Sequence, residues 1–246
     1  GLAFDPNAQI LYGADVGPAD QLLRIDTTTG QATPVGPLGF IWVGTMTFDR
    51  ATGTLYGVDL SSDRLIRIDP ATGQGTATPG SLGAGGFTNV RGLAIDPGTG
   101  TLYEMDAFTA QLLTIDTVSG NGTALGPLGL RDVHALTYIP GAGLYATDRK
   151  NDTLLTINPV NGHATVVGNL VDHLGSRLYE VFGLAYDPFT QRLYGVDRLS
   201  KRLIRINRAT GQGISEVSLR YPEGQPIFGA RALAFYSFVR TAHINI

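Results

Sequence analysis

The chain opens with Gly1-Leu2-Ala3-Phe4-Asp5-Pro6, continues through Leu11-Tyr12-Gly13-Ala14-Asp15, and reaches Leu22-Leu23-Arg24-Ile25-Asp26. All three runs return. The first comes back as Thr45-Met46-Thr47-Phe48-Asp49, Gly92-Leu93-Ala94-Ile95-Asp96, Ala135-Leu136-Thr137-Tyr138, Gly183-Leu184-Ala185-Tyr186-Asp187 and Ala232-Leu233-Ala234-Phe235. Measured between Leu2, Met46, Leu93, Leu136, Leu184 and Leu233, the steps are 44, 47, 43, 48 and 49 residues. A period of about 40–50 residues is that of propeller blades.

The second run is a Leu-Tyr pair with Asp three residues on: Tyr12 with Asp15, Tyr56 with Asp59, Tyr103 with Asp106, Tyr145 with Asp148, and Tyr194 with Asp197. The third recurs at 65–69, 112–116, 154–158 and 203–207, and a weaker Thr/Val-rich fourth at 32–36, 122–126 and 164–168. Each run has strand length, and no window keeps a 3.6-residue period long enough for a helix. Asp-Pro and Thr-Gly pairs between the runs supply turn chemistry, with Gly where φ must become positive. Four antiparallel strands per unit, repeated around an axis, predict an all-β propeller.

These motifs resemble the NHL-repeat and quinoprotein-like group of propellers, including secreted bacterial proteins with Leu-Tyr-Gly-x-Asp and Ile-Asp-x-x-Thr-Gly repeats. The resemblance covers nearly the whole chain. It implies the fold and leaves the chemistry open, because this scaffold hosts lactonases, lectins, protein-binding platforms and cofactor enzymes.

The reading is one domain over 1–246, with repeats at about 1–44, 45–91, 92–134, 135–182 and 183–231 and a partial unit at 232–246. Five four-stranded blades are expected, with one extra C-terminal strand at 231–236 that replaces, flanks or duplicates the first strand. The alternative is a six-bladed ring, or an open ring completed by another chain. Gly1, with no Met before it, suggests a trimmed N-terminus.

Composition narrows the function classes. The 246 residues are 43% hydrophobic and 16% charged, with a net charge of −3. That balance excludes a disordered chain, and a mildly acidic surface argues against general nucleic-acid binding. The absence of cysteine removes disulfides, thiolate catalysis and cysteine-ligated metals together. No Walker loop, His-Glu-x-x-His pair, Gly-x-Ser-x-Gly elbow or haem motif is present.

Within a repeat, a residue found in every unit serves the unit, and an exception is free to serve a site. The recurrent tyrosines therefore read as packing between blades, and the recurrent aspartates as acceptors for loop N–H groups. The exceptions stand just before each first strand. Trp42, Asn89, Asp132, Glu180 and Gly229 lie four residues ahead of the Leu2-type anchor, and Gly44, Arg91, His134, Phe182 and Arg231 lie two ahead.

Asn89, Asp132 and Glu180 are oxygen donors of the kind Ca²⁺ prefers. They resemble, in residue type and place, the calcium cluster of propeller lactonases; the competing reading is a polar channel rim paired with Arg91 and Arg231. His134 is a candidate general base oriented by Asp132 or Glu180, or a hydrogen-bonded channel histidine. Trp42, with Arg91, His134 and Arg231, is a candidate ligand contact. The Arg/Lys strip at 192–208 reads as a solvated outer face or a patch for an acidic partner.

The expected function is a rigid extracellular or periplasmic binding module for a protein or carbohydrate ligand. A Ca²⁺-dependent lactonase- or esterase-like hydrolase is the alternative, and a structural subunit forming homo-oligomers through the C-terminal strand is the third.

Overall fold

A computed structural model describes residues 1–15 and 20–221 of the chain. They form five four-stranded antiparallel sheets, each built from consecutive strands. Their first strands, Leu2–Asp5, Val43–Asp49, Val90–Ile95, Val133–Ile139 and Val181–Asp187, line a central axis. In the first sheet Leu2–Asp5 pairs with Ile10–Asp15, so the N-terminal strand holds the inner position of its own blade. The surplus strand expected at 231–236 lies outside the described residues.

Each sheet has two apolar faces, and each face is buried against the next blade. Tyr12 packs with Met46 and Leu55 of the second blade, Tyr103 with Leu136 and Leu144 of the fourth, and Tyr194 with Leu2 and Leu11 of the first. The last of these clusters joins the fifth blade to the first. It contains Phe182, Val196 and Leu203 from one side and Leu23, Ile25 and Ala32 from the other, all 7% exposed or less.

Main-chain hydrogen bonds close the ring at its circumference. Successive blades are tied by Gly75 N–H to Leu38 O (3.0 Å), Gly80 N–H to Ser119 O (2.6 Å), Ala164 N–H to Leu128 O (3.0 Å) and Gly213 N–H to Val171 O (2.7 Å). The fifth blade is tied to the first by Ala32 N–H to Arg220 O (2.8 Å) and Arg220 N–H to Gly30 O (3.2 Å). Five blades therefore complete the circle, which removes the six-bladed and open-ring alternatives: no unpaired blade face is left to recruit another unit. Gly30 sits at this seam with φ 72°, and a Cβ there would lie 2.3 Å from Ser218 O. Only glycine meets both demands.

The recurrent aspartates behave as loop acceptors. Asp148 accepts from Lys150 N–H (2.9 Å) and Asn151 N–H (3.2 Å), and Asp197 from Leu199 N–H (2.8 Å). Asp59 and Asp106 do the same in their blades. A glycine-rich segment, residues 80–86, joins the second and third blades. It forms a single 3₁₀ turn, Leu82–Gly85, opened by Ser81 Oγ accepting from Gly83 N–H and ended by Gly86 at φ 86°. One such turn is too short to gather an anion.

Candidate functional site

Leu2, Met46, Leu93, Leu136 and Leu184 project inward at one level and make a waist across the axis, each 2% exposed or less. Two residues upstream, the first strands carry an irregularity. Val90 faces Asp106 but Gly92 faces Met105, which leaves Arg91 out of the ladder. The same slip falls around His134 and Ala135 between Val133 and Leu136, and at Gly183 between Phe182 and Leu184. A bulge turns its side chain away from the regular alternation and is common beside functional sites. Here Arg91 lines the space above the waist, while His134 is buried beside Asp132 and Phe182.

Ahead of these bulges the backbone is bent by two non-glycine residues in the left-handed region, Asp132 at φ 68° and Glu180 at φ 54°. Each such residue costs about 1 kcal/mol or more, and the surrounding contacts have to offset it. They do so through an ion-pair chain. His134 Nε2 lies 2.9 Å from Asp132 Oδ1, Arg149 reaches Asp132 Oδ2 at 3.0 Å and Glu180 Oε1 at 3.5 Å, and Arg198 pairs with Glu180 Oε2. The chain therefore links the crossings into the fourth and fifth blades.

The electrostatics follow from this packing. The hydrogen bond from His134, reinforced by the Arg149 guanidinium, holds the Asp132 carboxyl well below the usual carboxylate range. Burial pushes the His134 imidazole down, against the pull of Asp132. Neutral His134 then donates from its Nε2–H to ionised Asp132, while its ring edge meets Phe182 at 5.0 Å and 71°. Burial, with repulsion from Arg149, brings the Arg91 guanidinium down to about 10.

Beneath Arg91 lies Glu104, 0% exposed. Its Oε1 accepts from Gly92 N–H at 3.1 Å and its Oε2 has no hydrogen-bond partner. Burial pushes this carboxyl far up, which favours its protonated form.

Of the residues expected at this mouth, the structure brings together Asp132, His134 and Glu180, with Arg91 beside them. Asn89 stays outside the chain of ion pairs; its N–H donates to Asp106 Oδ2 at 3.0 Å. The set does not fit a hard cation. Both oxygens of Asp132 and both of Glu180 already face imidazole or guanidinium, so Ca²⁺ would have to displace an arginine. Among the described residues no group of three or more His, Asp or Glu side chains is placed to hold a metal ion. Trp42 lies in the first crossing, 45% exposed beside Ile41 at 64%. Arg231 lies outside the described residues.

Three participants escape a comparison confined to the crossings. Glu104 takes the place of glycine in the Leu-Tyr-Gly-x-Asp run, where the other blades have Gly13, Gly57, Ala146 and Gly195. Arg149 and Arg198 directly follow the recurrent aspartate, where other blades have Val16, Leu60 and Ala107. The same test of exception against repeat, applied along the second strand and its loop, finds all three.

No protein-family model matches the chain, and no curated protein matches it in sequence. Solved propellers do match in shape. A nidogen/laminin complex structure aligns with a TM-score of 0.63 at 21% identity, over 89% of this chain and 79% of that one. The glutaminyl cyclase of Myxococcus xanthus aligns with a TM-score of 0.56 at 15% identity, over 72% and 70%. A streptogramin B lyase gives 0.52 at 12%, over 90% and 69%. At these identities the likeness is one of fold, shared by proteins that bind and proteins that catalyse.

Proposed function

We propose that this propeller is a binding module whose ligand is a protein, held at the face where the ion-pair chain opens. The observation that carries the reading is the concentration of unrepeated, exposed apolar side chains on the loops of that face. Trp42 is 45% exposed, Tyr179 49%, Phe108 71% and Leu199 72%. Loops of the same face carry the partly exposed guanidinium groups of Arg149 and Arg198. Aromatic anchors with arginine are the residues that dominate protein interfaces, and loops on a rigid scaffold are where recognition usually sits. The ion-pair chain fixes its side chains before binding, which lowers the entropy lost on association. A nidogen/laminin complex among the similar structures supports a protein partner.

The test uses photo-crosslinking side chains placed at Phe108 and Leu199 on this face, and at Val118 and Val160 on turns of the opposite face. A discrete protein adduct from the first pair, diminished by Trp42→Ala, is the expected result. Equal capture from both faces, or capture indifferent to Trp42, overturns the assignment; retention on a glycan surface in place of a protein adduct would substitute a carbohydrate ligand.

A further inference from the structure

The end of the fifth blade remote from the ion-pair chain gathers exceptions to the repeat. The residue before the Leu-Tyr pair is Ile10, Thr54, Thr101 or Gly143 in the first four blades and Arg192 in the fifth. The residue after the Asp or Asn that ends the third run is Thr27, Pro70, Thr117 or Pro159, and then Arg208. The hairpin ahead of Arg192 carries Phe189, 59% exposed, where the first three blades have Asn7, Ala51 and Gly98. The basic strip at 192–208 is thereby divided: Arg198 and Lys201 belong to the loop between Arg192–Asp197 and Arg202–Ile206, and Arg192, Arg205 and Arg208 to the far end of those strands.

Strand register brings these side chains together. Tyr194 pairs with Arg205, so Arg192, two positions earlier on the neighbouring strand, stands diagonally across from Arg205 on the same face of the sheet. Arg208 lays its guanidinium against the Tyr186 ring, 5.9 Å from the centroid. Among the described residues none of the three arginines forms an ion pair. Asp187, which pairs with Arg192 across the strands, turns its carboxylate into its own hairpin and accepts from Phe189 N–H at 2.9 Å and Thr190 N–H at 3.3 Å. Asn207 stands where three blades have Asp26, Asp69 and Asp116, which removes a further negative charge. In the second blade Arg67, the counterpart of Arg205, donates to Thr117 O of the next blade at 2.6 Å, whereas the Nε of Arg205 is buried with no hydrogen-bond partner. Two like charges on one face, with the nearest carboxylate engaged elsewhere, raise the energy of the folded chain. An anion bound there lowers it.

We infer that this end of the fifth blade binds a linear acidic polysaccharide: the C–H face of a sugar ring lies on Phe189, and sulfate or carboxylate groups along the chain meet Arg192, Arg205 and Arg208. The planar fork of arginine matches either anion bidentately, and the negative face of an aromatic ring suits the C–H groups of a sugar. A chain that runs over the surface needs no pocket. The net charge of −3 over the whole protein confines the attraction to this end. The site lies at the opposite end of the blade from the loops assigned to the protein ligand and does not depend on that assignment.

The probes are fluorescently labelled oligosaccharides of heparin, which carry sulfate, and of polygalacturonate, which carry carboxylate alone, each titrated with the full chain at low salt and read by anisotropy. At least one should bind saturably, and more weakly as salt is raised. Arg192→Thr and Arg208→Thr, which restore the threonine of other blades, should each weaken binding about fivefold. Phe189→Ala should weaken it with the salt dependence unchanged. Arg131→Thr, which removes an exposed cation from the opposite face, and Trp42→Ala should bind as the wild type does. The inference is overturned by the absence of saturable binding of both oligosaccharides, by a loss from Arg131→Thr or Trp42→Ala equal to that from Arg192→Thr, or by Phe189→Ala without effect. An oligoglutamate or oligodeoxythymidylate of equal charge that binds as tightly overturns it as well.

Discussion

The imidazole of His134 lies 2.9 Å from the Asp132 carboxylate in a channel wall where the histidine is 3% exposed. Burial lowers the histidine below its ordinary value, and the hydrogen bond from His134 lowers the aspartate. For both groups the unfolded chain binds protons more readily than the folded one, so stability rises with pH. The histidine contribution is present above its ordinary pKa of about 6.5 and fades as pH falls toward the lowered value. The aspartate contribution fades only below about 4. His134→Gln keeps an N–H donor for Asp132 but cannot titrate. Urea midpoints at about pH 7.5 and 5.5 should therefore differ more in the wild type than in the variant, by about 1 kcal/mol. An equal loss in both proteins would mean that folding leaves the His134 pKa unchanged.

Arg149 spans Asp132 at 3.0 Å and Glu180 at 3.5 Å, and occupies the place a bridging cation would take. A ligand bound only by the folded state raises its stability in proportion to RT ln(1 + [L]/Kd). Since Ca²⁺ would have to expel this guanidinium, the melting temperature should be the same in millimolar Ca²⁺ and in chelator. Removing the arginine by Arg149→Met leaves two carboxylates facing each other, and should cost about 1 kcal/mol after allowance for solvent screening. A midpoint that rises with Ca²⁺ in the wild type would restore the cation reading.

Glu104 gives the opposite pH slope. Its carboxyl is raised by burial, so the folded state holds the proton that the unfolded state releases above about pH 4.3. Its contribution is full below that value and declines as pH rises toward the raised pKa. Glu104→Gln keeps an oxygen for Gly92 N–H and removes the titration. The variant should match the wild type near about pH 4 and exceed it by about 1 kcal/mol or more near pH 8. Parallel stability curves across that interval would show Glu104 ionising without penalty.

Much of this architecture was legible because a blade is a local object: its strands, turns and apolar alternation are written within fewer than fifty residues and then repeated. Asp132, His134 and Glu180 could be placed at one mouth by counting back from Leu136 and Leu184. The partners could not. Arg149 reaches Glu180 across thirty-one positions of sequence, and whether two side chains meet over such a distance depends on loop geometry and bulges that shift the register by one residue. Glu104 was hidden for another reason. Its position reads as glycine in the first, second and fifth blades and as alanine in the fourth, because space there is short, as Ile25 Cδ1 would stand 2.8 Å from a Cβ at Gly13. A buried acid in such a slot is decided by packing that no propensity records.

Ring closure can be tested with a pair of glycines that share a backbone conformation and differ in surroundings. Gly30 has φ 72° and Gly53 has φ 71°. A Cβ at Gly53 meets nothing within 4 Å, whereas one at Gly30 lies 2.3 Å from Ser218 O, beside the Ala32 N–H bond to Arg220 O that joins the last blade to the first. Gly53→Ala should therefore cost only the left-handed conformation, about 1–2 kcal/mol. Gly30→Ala adds a clash with main chain that can be relieved only by parting the seam. It should lose at least 2 kcal/mol more, with amide exchange rising first at Ala32 and Arg220. The comparison cancels the intrinsic cost of the turn, so the excess measures what the fifth blade gains by meeting the first. Equal losses at Gly30 and Gly53 would show that the seam bears no load and that the apolar cluster of Leu2, Phe182 and Tyr194 alone closes the ring.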